Sequence, residues 1–370
     1  MECTIGGTRR HLVDLALGQQ EAGHEVAVVA AVVRDLGMAG DLERLAQAGV
    51  VVERLDMVRE IRPLVDWKHY QHLCEFLRRW QPQIVHSHSS KAGVLARRAS
   101  RRTGIGQRVH TPHTMSFLFA ELFSPPKRAL FRRIERGLAA HTARMIAVSP
   151  SEGDTLRRSG VVDPAKVRVV CNGIDPRPFQ TATPTELAGL GLQPGLRTLA
   201  LVGLVYAAKG HDLAIQALDD PELAGWQLLC VGPGDPSEYL TLAERLGLRE
   251  RVHFSGARND VPGILAAVDG LILPSRWEGM PYVVLEAMAS GRVVLAHPVD
   301  GARDLVRDGE TGFLCKSIGV EALRTAWRRL AAQSQEDARR MGLKAQAEVS
   351  ERYTLASMVQ GTLAVYSELL

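Results

Sequence analysis

Short runs of β-branched and aliphatic residues alternate along the chain with longer stretches of helical periodicity. The clearest runs are Val26 to Val33, Ile84-Val85-His86, Met145 to Val148, Leu199 to Val202, Gln227 to Val231 and Leu271 to Leu273. Each is short for a helix and reads as a buried strand. The intervening segments are long enough for covering helices, so the pattern predicts parallel sheets in an α/β protein. Near the start, Gly6-Gly7 reads as a glycine turn opening an amphipathic helix over Arg10 to Leu17, and Ala22-Gly23-His24-Glu25 closes it.

The pattern breaks at Val169 to Asp175, which runs into Pro176, Pro178, Pro184, Pro194 and several glycines. A Pro/Gly-rich stretch between two α/β halves reads as a linker. It predicts a first domain over 1–176 and a second over 177–352. The 370 residues, 46% hydrophobic and 23% charged, suit two soluble domains. No run reaches eighteen apolar residues, so no transmembrane span is expected. The first seven residues lack the regions of a signal peptide. Five scattered cysteines (3, 74, 171, 230 and 315) without a C-x-x-C pair suggest reduced thiols in a cytoplasmic protein.

The chemistry concentrates after one strand. Gly270-Leu271-Ile272-Leu273-Pro274 ends at a proline, glycines punctuate the turn, and Pro281 suits the first position of a helix. Val283 to Ala289 is apolar nearly all round, as in a buried helix. Into this greasy element Ser275-Arg276-Trp277-Glu278-Gly279-Met280-Pro281-Tyr282-Val283-Val284-Leu285-Glu286 carries two carboxylates, Glu278 and Glu286. Buried Glu is costly unless paired, so polar groups should meet both.

This stretch resembles the E-x7-E signature of retaining nucleotide-sugar glycosyltransferases of the GT-B fold, family 4, exopolysaccharide and O-antigen type. The resemblance implies two Rossmann-like, doubly wound domains facing across a cleft, with the last helix (353–370) crossing back onto the first domain. By it Glu278 lies at the donor sugar and phosphate, and Glu286 binds the ribose. Gly279, Met280 and Arg258 fall to the donor site as well. Leu199 to Gly210 matches the family's strand, glycine turn and Lys-Gly, which gives Lys209 to the donor diphosphate. Leu204 stands where the family has an arginine, a departure worth on the order of 1.5–3 kcal/mol of phosphate binding. In the family a central strand precedes the Gly-Gly turn. Only five residues do so here, so that first strand is expected to be missing, with the true start upstream. Gly6 and Gly7 would let backbone and a helix N-terminus approach a phosphate.

Four of the twelve histidines fall within His86-Ser87-His88 and His110-Thr111-Pro112-His113. The spacing could suggest a metal, but no Asp or Glu occurs from Gln83 to Ala120. The two segments read instead as the ends of adjacent strands, where open sheets bind ligands. The resemblance assigns His113 to the donor-sugar side of the cleft and leaves His86 and His88 structural or acceptor-side. It implies no metal and no cofactor beyond the nucleotide-diphosphate sugar as co-substrate.

Charge is uneven. From Lys91 to Arg144 there are twelve Lys/Arg against two Asp/Glu, within a chain of net +4. Pro125 to Leu138, with Lys127, Arg128, Arg132 and Arg133, reads as a basic amphipathic helix suited to an anionic membrane surface or to the acceptor. With 5% aromatics and no nucleic-acid motif, nucleic acid is not an expected partner. The expected function is transfer of a sugar to a polyprenyl-diphosphate-linked or saccharide acceptor in extracellular polysaccharide synthesis, in the cytoplasm or peripheral on the inner face of the cytoplasmic membrane. Glu278, Lys209 and His113 would be catalytic, and closure of the two lobes would exclude water. A nucleotide-sugar isomerase and a non-catalytic nucleotide-sugar or lipid-binding relative remain open alternatives.

Overall fold

Each of the apolar runs singled out above contributes a strand. The computed structural model describes residues 6–33, 37–58, 60–119 and 122–370. Its strands are β1 (Ala27–Ala30), β2 (Val51–Arg54), β3 (Ile84–His88), β4 (Gln107–Thr111), β5 (Arg144–Ala147), β6 (Val167–Val169), β7 (Arg197–Val202), β8 (Trp226–Val231), β9 (Val252–Gly256), β10 (Gly270–Leu273), β11 (Val293–Ala296) and β12 (Gly312–Leu314). Neighbouring strands pair in parallel throughout. The chain divides into one unit running to Asn172 and resuming at Leu355–Leu370, and a second over Gly173–Thr354. The borders expected at 176/177 and 352/353 thus fall at 172/173 and 354/355.

The second unit has one sheet of order β12-β11-β10-β7-β8-β9. Successive side chains of a strand face opposite ways, and both faces here are covered. Leu199, Leu228 and Cys230 join Ile272, Leu295 and Trp327 in one layer. Ala200, Leu229 and Val231 pack with Ile264 and Val268 in the other. Burial on both faces explains why these strands read as unbroken apolar runs. From β7 the chain builds outward through β8 and β9, then returns to β7's other side with β10. That reversal between β7 and β10 is the place where open α/β sheets leave room for a ligand beyond the strand ends.

In the first unit the described strands form two sheets, β1-β2 and β3-β4-β5-β6. The expectation that a first strand is missing ahead of Gly6 concerns residues outside the described set, as does Cys3. The last helix, Leu355–Ser367, belongs to this unit. Its Met358, Val359 and Val365 share a core with Leu15, Val109 and Ile146, and Tyr366 accepts a hydrogen bond from Gln19 at 3.2 Å.

The basic segment forms the helix Pro125–Ala139. Its one acidic residue, Glu135, accepts two bonds from the buried Arg97 guanidinium, 2.6 and 2.9 Å. Two helix starts differ from expectation. The last helix begins at Leu355, and Pro281 is the cap before the helix Tyr282–Ala289 rather than its first residue, with ψ 116° in the extended region. Among the described residues no helix is long and apolar enough to cross a membrane. Cys74, Cys230 and Cys315 are free thiols.

Candidate active site

The loops that leave β7 and β10 meet at Gly210. Its φ is +70°, and a Cβ there would lie 2.1 Å from the Pro274 carbonyl oxygen, so only glycine permits the contact. The contact sets Lys209 against the turn that follows Pro274. Lys209 Nζ donates to Glu278 Oε1 at 2.6 Å, and Ser275 Oγ donates to the same oxygen at 2.7 Å. Both charged side chains are mostly buried, 21% and 14% exposed. Burial disfavours the ammonium, but Glu278, helped by Tyr206, outweighs it and holds the lysine pKa above its ordinary value. Lys209 is therefore a cation with a carboxylate already on it.

Arg276 staples the same two loops. Its backbone N–H donates to the Ala208 carbonyl at 2.8 Å. Its guanidinium grips the Asp212 carboxylate at 2.7 and 3.0 Å and reaches the Ala207 carbonyl. Leu204, in the position of the family arginine, is half-buried in the β7 loop. Gly279 and the buried Met280 lie in the turn ahead of the helix Tyr282–Ala289, and Glu286 stands half-buried about one turn inside it. Arg258 is not joined to this group: beyond the edge strand β9 its guanidinium pairs with Asp260, at 2.8 Å through two nitrogens.

In the first unit four imidazoles converge. His86 and His88 end β3, His113 follows β4, and His11 comes from the helix Gly7–Glu21. Ring centroids of His11 and His113 are 4.7 Å apart, of His86 and His88 4.2 Å, and His88 Nδ1 lies 3.2 Å from His113 Nε2. His11 Nδ1 donates to Asn172 Oδ1 at 2.9 Å, the acceptor fixing that tautomer. His86 is held between the Tyr366 hydroxyl at 2.6 Å and the Thr111 hydroxyl at 2.8 Å.

Burial lowers the pKa of every one: His11 to about 4 against the Asn172 hydrogen bond, His86 to about 3, and His88 and His113 well below 6.5, with neighbouring imidazoles adding to the last three. The cluster is neutral at pH 7. Nitrogens of His11, His88 and His113 lie within 4.8 Å of one another, the one group among the described residues able to share a metal ion. The expectation of a metal-free site rests on the lack of Asp and Glu from Gln83 to Ala120, and the three imidazoles do not test it.

His113 and Thr114 have φ of +50° and +78°, a conformation that non-glycine residues hold only when their surroundings fix it. Glu152 fixes it here. Its two carboxylate oxygens accept from the backbone N–H groups of Thr114 and Val148 at 2.6 and 2.7 Å. Gly6 caps the first helix with φ +88° and open space around it, so conformation rather than crowding asks for glycine.

On the basic helix Lys127 sits 4.8 Å over the Phe123 ring, Arg128 donates to the Phe117 carbonyl at 2.9 Å, and Arg132 donates to that of Ser159. Sequence reasoning missed Glu152, Asn172, Ser275, Arg276 and His11. His11, Asn172, Ser275 and Arg276 stood in segments already noted, but their partners are distant along the chain or unmarked by any motif, and Glu152 stood in none.

Comparison with known proteins supplies the family. Residues 6–173 match the glycosyl transferase 4-like domain and residues 197–333 the glycosyl transferases group 1 domain. The chain is 29% identical over 275 residues to the UDP-Gal:alpha-D-GlcNAc-diphosphoundecaprenol alpha-1,3-galactosyltransferase of Escherichia coli, covering 72% of this chain and 70% of that one. It is 31% identical to the putative glycosyltransferase EpsD of Bacillus subtilis, covering 68% of each. Several D-inositol 3-phosphate glycosyltransferases match over 53 to 66% of their own length. Among solved structures, Anabaena Alr3699/HepE in complex with UDP and glucose superposes with a TM-score of 0.79 at 22% identity, over 99% of this chain and 97% of that one.

Proposed function

The chain belongs to the family of glycosyltransferases that those domains define, with the GT-B fold, and we propose that it transfers a sugar from a nucleoside-diphosphate donor to a polyprenyl-diphosphate-linked acceptor with retention of configuration. The observation that carries this reading is the Lys209–Glu278 pair at the β7/β10 reversal, with Glu286 in the helix behind it. A diphosphate placed at that reversal meets the Lys209 ammonium and the first N–H groups of the helix Tyr282–Ala289, both suited to a developing phosphate charge. Glu286 accepts hydrogen bonds from the ribose hydroxyls.

In the reaction the bond between the anomeric carbon and the phosphate oxygen breaks as an acceptor hydroxyl attacks from the same face. The hydroxyl proton passes to the leaving phosphate, so no protein carboxylate need become covalently attached. Glu278 orients the sugar and modulates Lys209. His113, neutral at working pH, serves a sugar hydroxyl as a hydrogen-bond partner rather than as a charge. Metal-free transfer and an exopolysaccharide product are part of the proposal, and the donor nucleoside is uridine by likeness to the galactosyltransferase.

One observation favours a second reading. Leu204 removes a cation from the donor loop, and Arg276 is committed to Asp212, so a non-catalytic binder of nucleotide sugars is the alternative. Calorimetric titration with UDP, GDP and ADP of the purified chain and of Glu286→Ala tests the proposal. Selective UDP binding, weakened at least tenfold in the variant, is expected. Equal affinity in both proteins sinks the ribose assignment, and UDP binding without turnover on a lipid-diphosphate sugar leaves the binder.

A further inference from the structure

Beside the loop that carries His113 the first unit has a cavity of about 530 Å³ that the transfer chemistry does not use. Its walls are largely apolar, with Phe117, Leu118, Pro125 and Ala129, and three guanidiniums border it: Arg128, Arg132 and Arg158. Among the described residues no Asp or Glu lines it, and none of the three arginines has a carboxylate partner. Arg157, one residue away, does, on Asp154. Arg128 and Arg132 are held by carbonyls, and Arg132 also lies 5.9 Å over the Phe117 ring. Three uncompensated cations around an apolar hollow suit a ligand with an anionic head and a hydrocarbon tail.

The surroundings extend that match. Leu118, in the turn Ser116–Leu118, is 39% exposed and lines the cavity, so its apolar wall is open to solvent. The helix Pro150–Arg158 supplies Thr155 and Arg158 to the cavity, and its Glu152 holds Thr114 and so the His113 loop. A head group seated here is thus tied through one short helix to the loop assigned to the sugar.

We propose that this cavity binds the diphosphate of the isoprenoid acceptor, Arg128, Arg132 and Arg158 taking the phosphate oxygens and Phe117 and Leu118 the first isoprene units. The inference rests on the lipid-linked acceptor reading above and names the site within it.

Farnesyl diphosphate, inorganic pyrophosphate and farnesol serve as probes, titrated calorimetrically into the full chain and into Arg158→Gln and Arg132→Gln. The expected result is binding of farnesyl diphosphate at least tenfold tighter than pyrophosphate, none of farnesol, and about tenfold weaker binding in each variant. The affinity should also fall with salt. Pyrophosphate binding as tightly as farnesyl diphosphate would make this a free-phosphate site and overturn the proposal. So would absent binding of the amphiphile, or variants that bind it as the parent does. UDP titration of the same samples reads the second unit separately, so failure of the donor reading is distinguishable from failure of the lipid site.

Discussion

Lys209 cannot serve Glu278 and a donor diphosphate equally well. At 2.6 Å the carboxylate neutralises the ammonium, and any phosphate that approaches must share it and tolerate a neighbouring negative charge. Glu278→Gln keeps the shape and the Ser275 contact while removing that charge. The expected outcome is UDP binding about fivefold tighter, worth about 1 kcal/mol for one charge near a part-solvated site. Sugar transfer should fall because the sugar loses its orienting group. Titration with UDP and an initial-rate assay check the two arms, and weaker UDP binding in the variant would mean that Glu278 positions Lys209 rather than competing for it. Glu278, Glu286 and Lys209 were legible in the sequence because their signal is local, a fixed spacing beside a strand end. Glu152 and Asn172 were not: each acts across long sequence separations on a backbone N–H or an imidazole, and no spacing announces such a contact.

The same distinction between local and distant signals holds among the elements. Central strands such as β8 and β10, buried at every position, stood out as apolar runs. β2, with Glu53 and Arg54, and β9, with His253 and Ser255, carry polar residues and escaped notice. The three-residue β6 is too short to show a period. The basic helix Pro125–Ala139 was legible as a helix, but its anchorage was not. Sequence marks Glu135 only as an acid among bases, whereas in the fold it clasps Arg97, whose side chain is 1% exposed. Removing one member of such a pair strands a buried charge, at a cost of about 3–5 kcal/mol. Glu135→Gln should therefore destabilise the first unit by that amount in urea denaturation. Arg133→Gln, on the exposed face of the same helix, should stay within about 0.5 kcal/mol. A Glu135→Gln loss below 1 kcal/mol would show that the helix is held by its apolar contacts alone.

Across the whole molecule, titration is unevenly placed. The first unit buries His11, His86, His88, His110 and His113 with pKa values pushed below 6.5, burial being the chief cause each time. The second unit's counterparts are His211, lowered to about 4, His297, also buried and lowered, and the half-buried His253, lowered as well. A folded pKa below the unfolded value means that the unfolded chain binds the extra proton first. Stability is therefore insensitive to pH above about 7 and falls as pH drops through 6.5 toward the folded values. At pH 5 a histidine lowered to about 4 or below, as His11 and His86 are, costs about 2 kcal/mol relative to pH 8. His11 and His86 alone are thus a sizeable share of a domain's stability, about 5–15 kcal/mol, and His88, His110 and His113 act in the same direction. The first unit should lose hydrogen-exchange protection between pH 6.5 and 5 while the second retains more of its own. The carboxylates that set most acid transitions titrate lower, so a loss confined to pH below 4 would assign acid sensitivity to them and not to the histidines. Because the cluster includes His113, which we propose serves a donor-sugar hydroxyl, sugar transfer should fade over the same interval, before UDP binding by the second unit does.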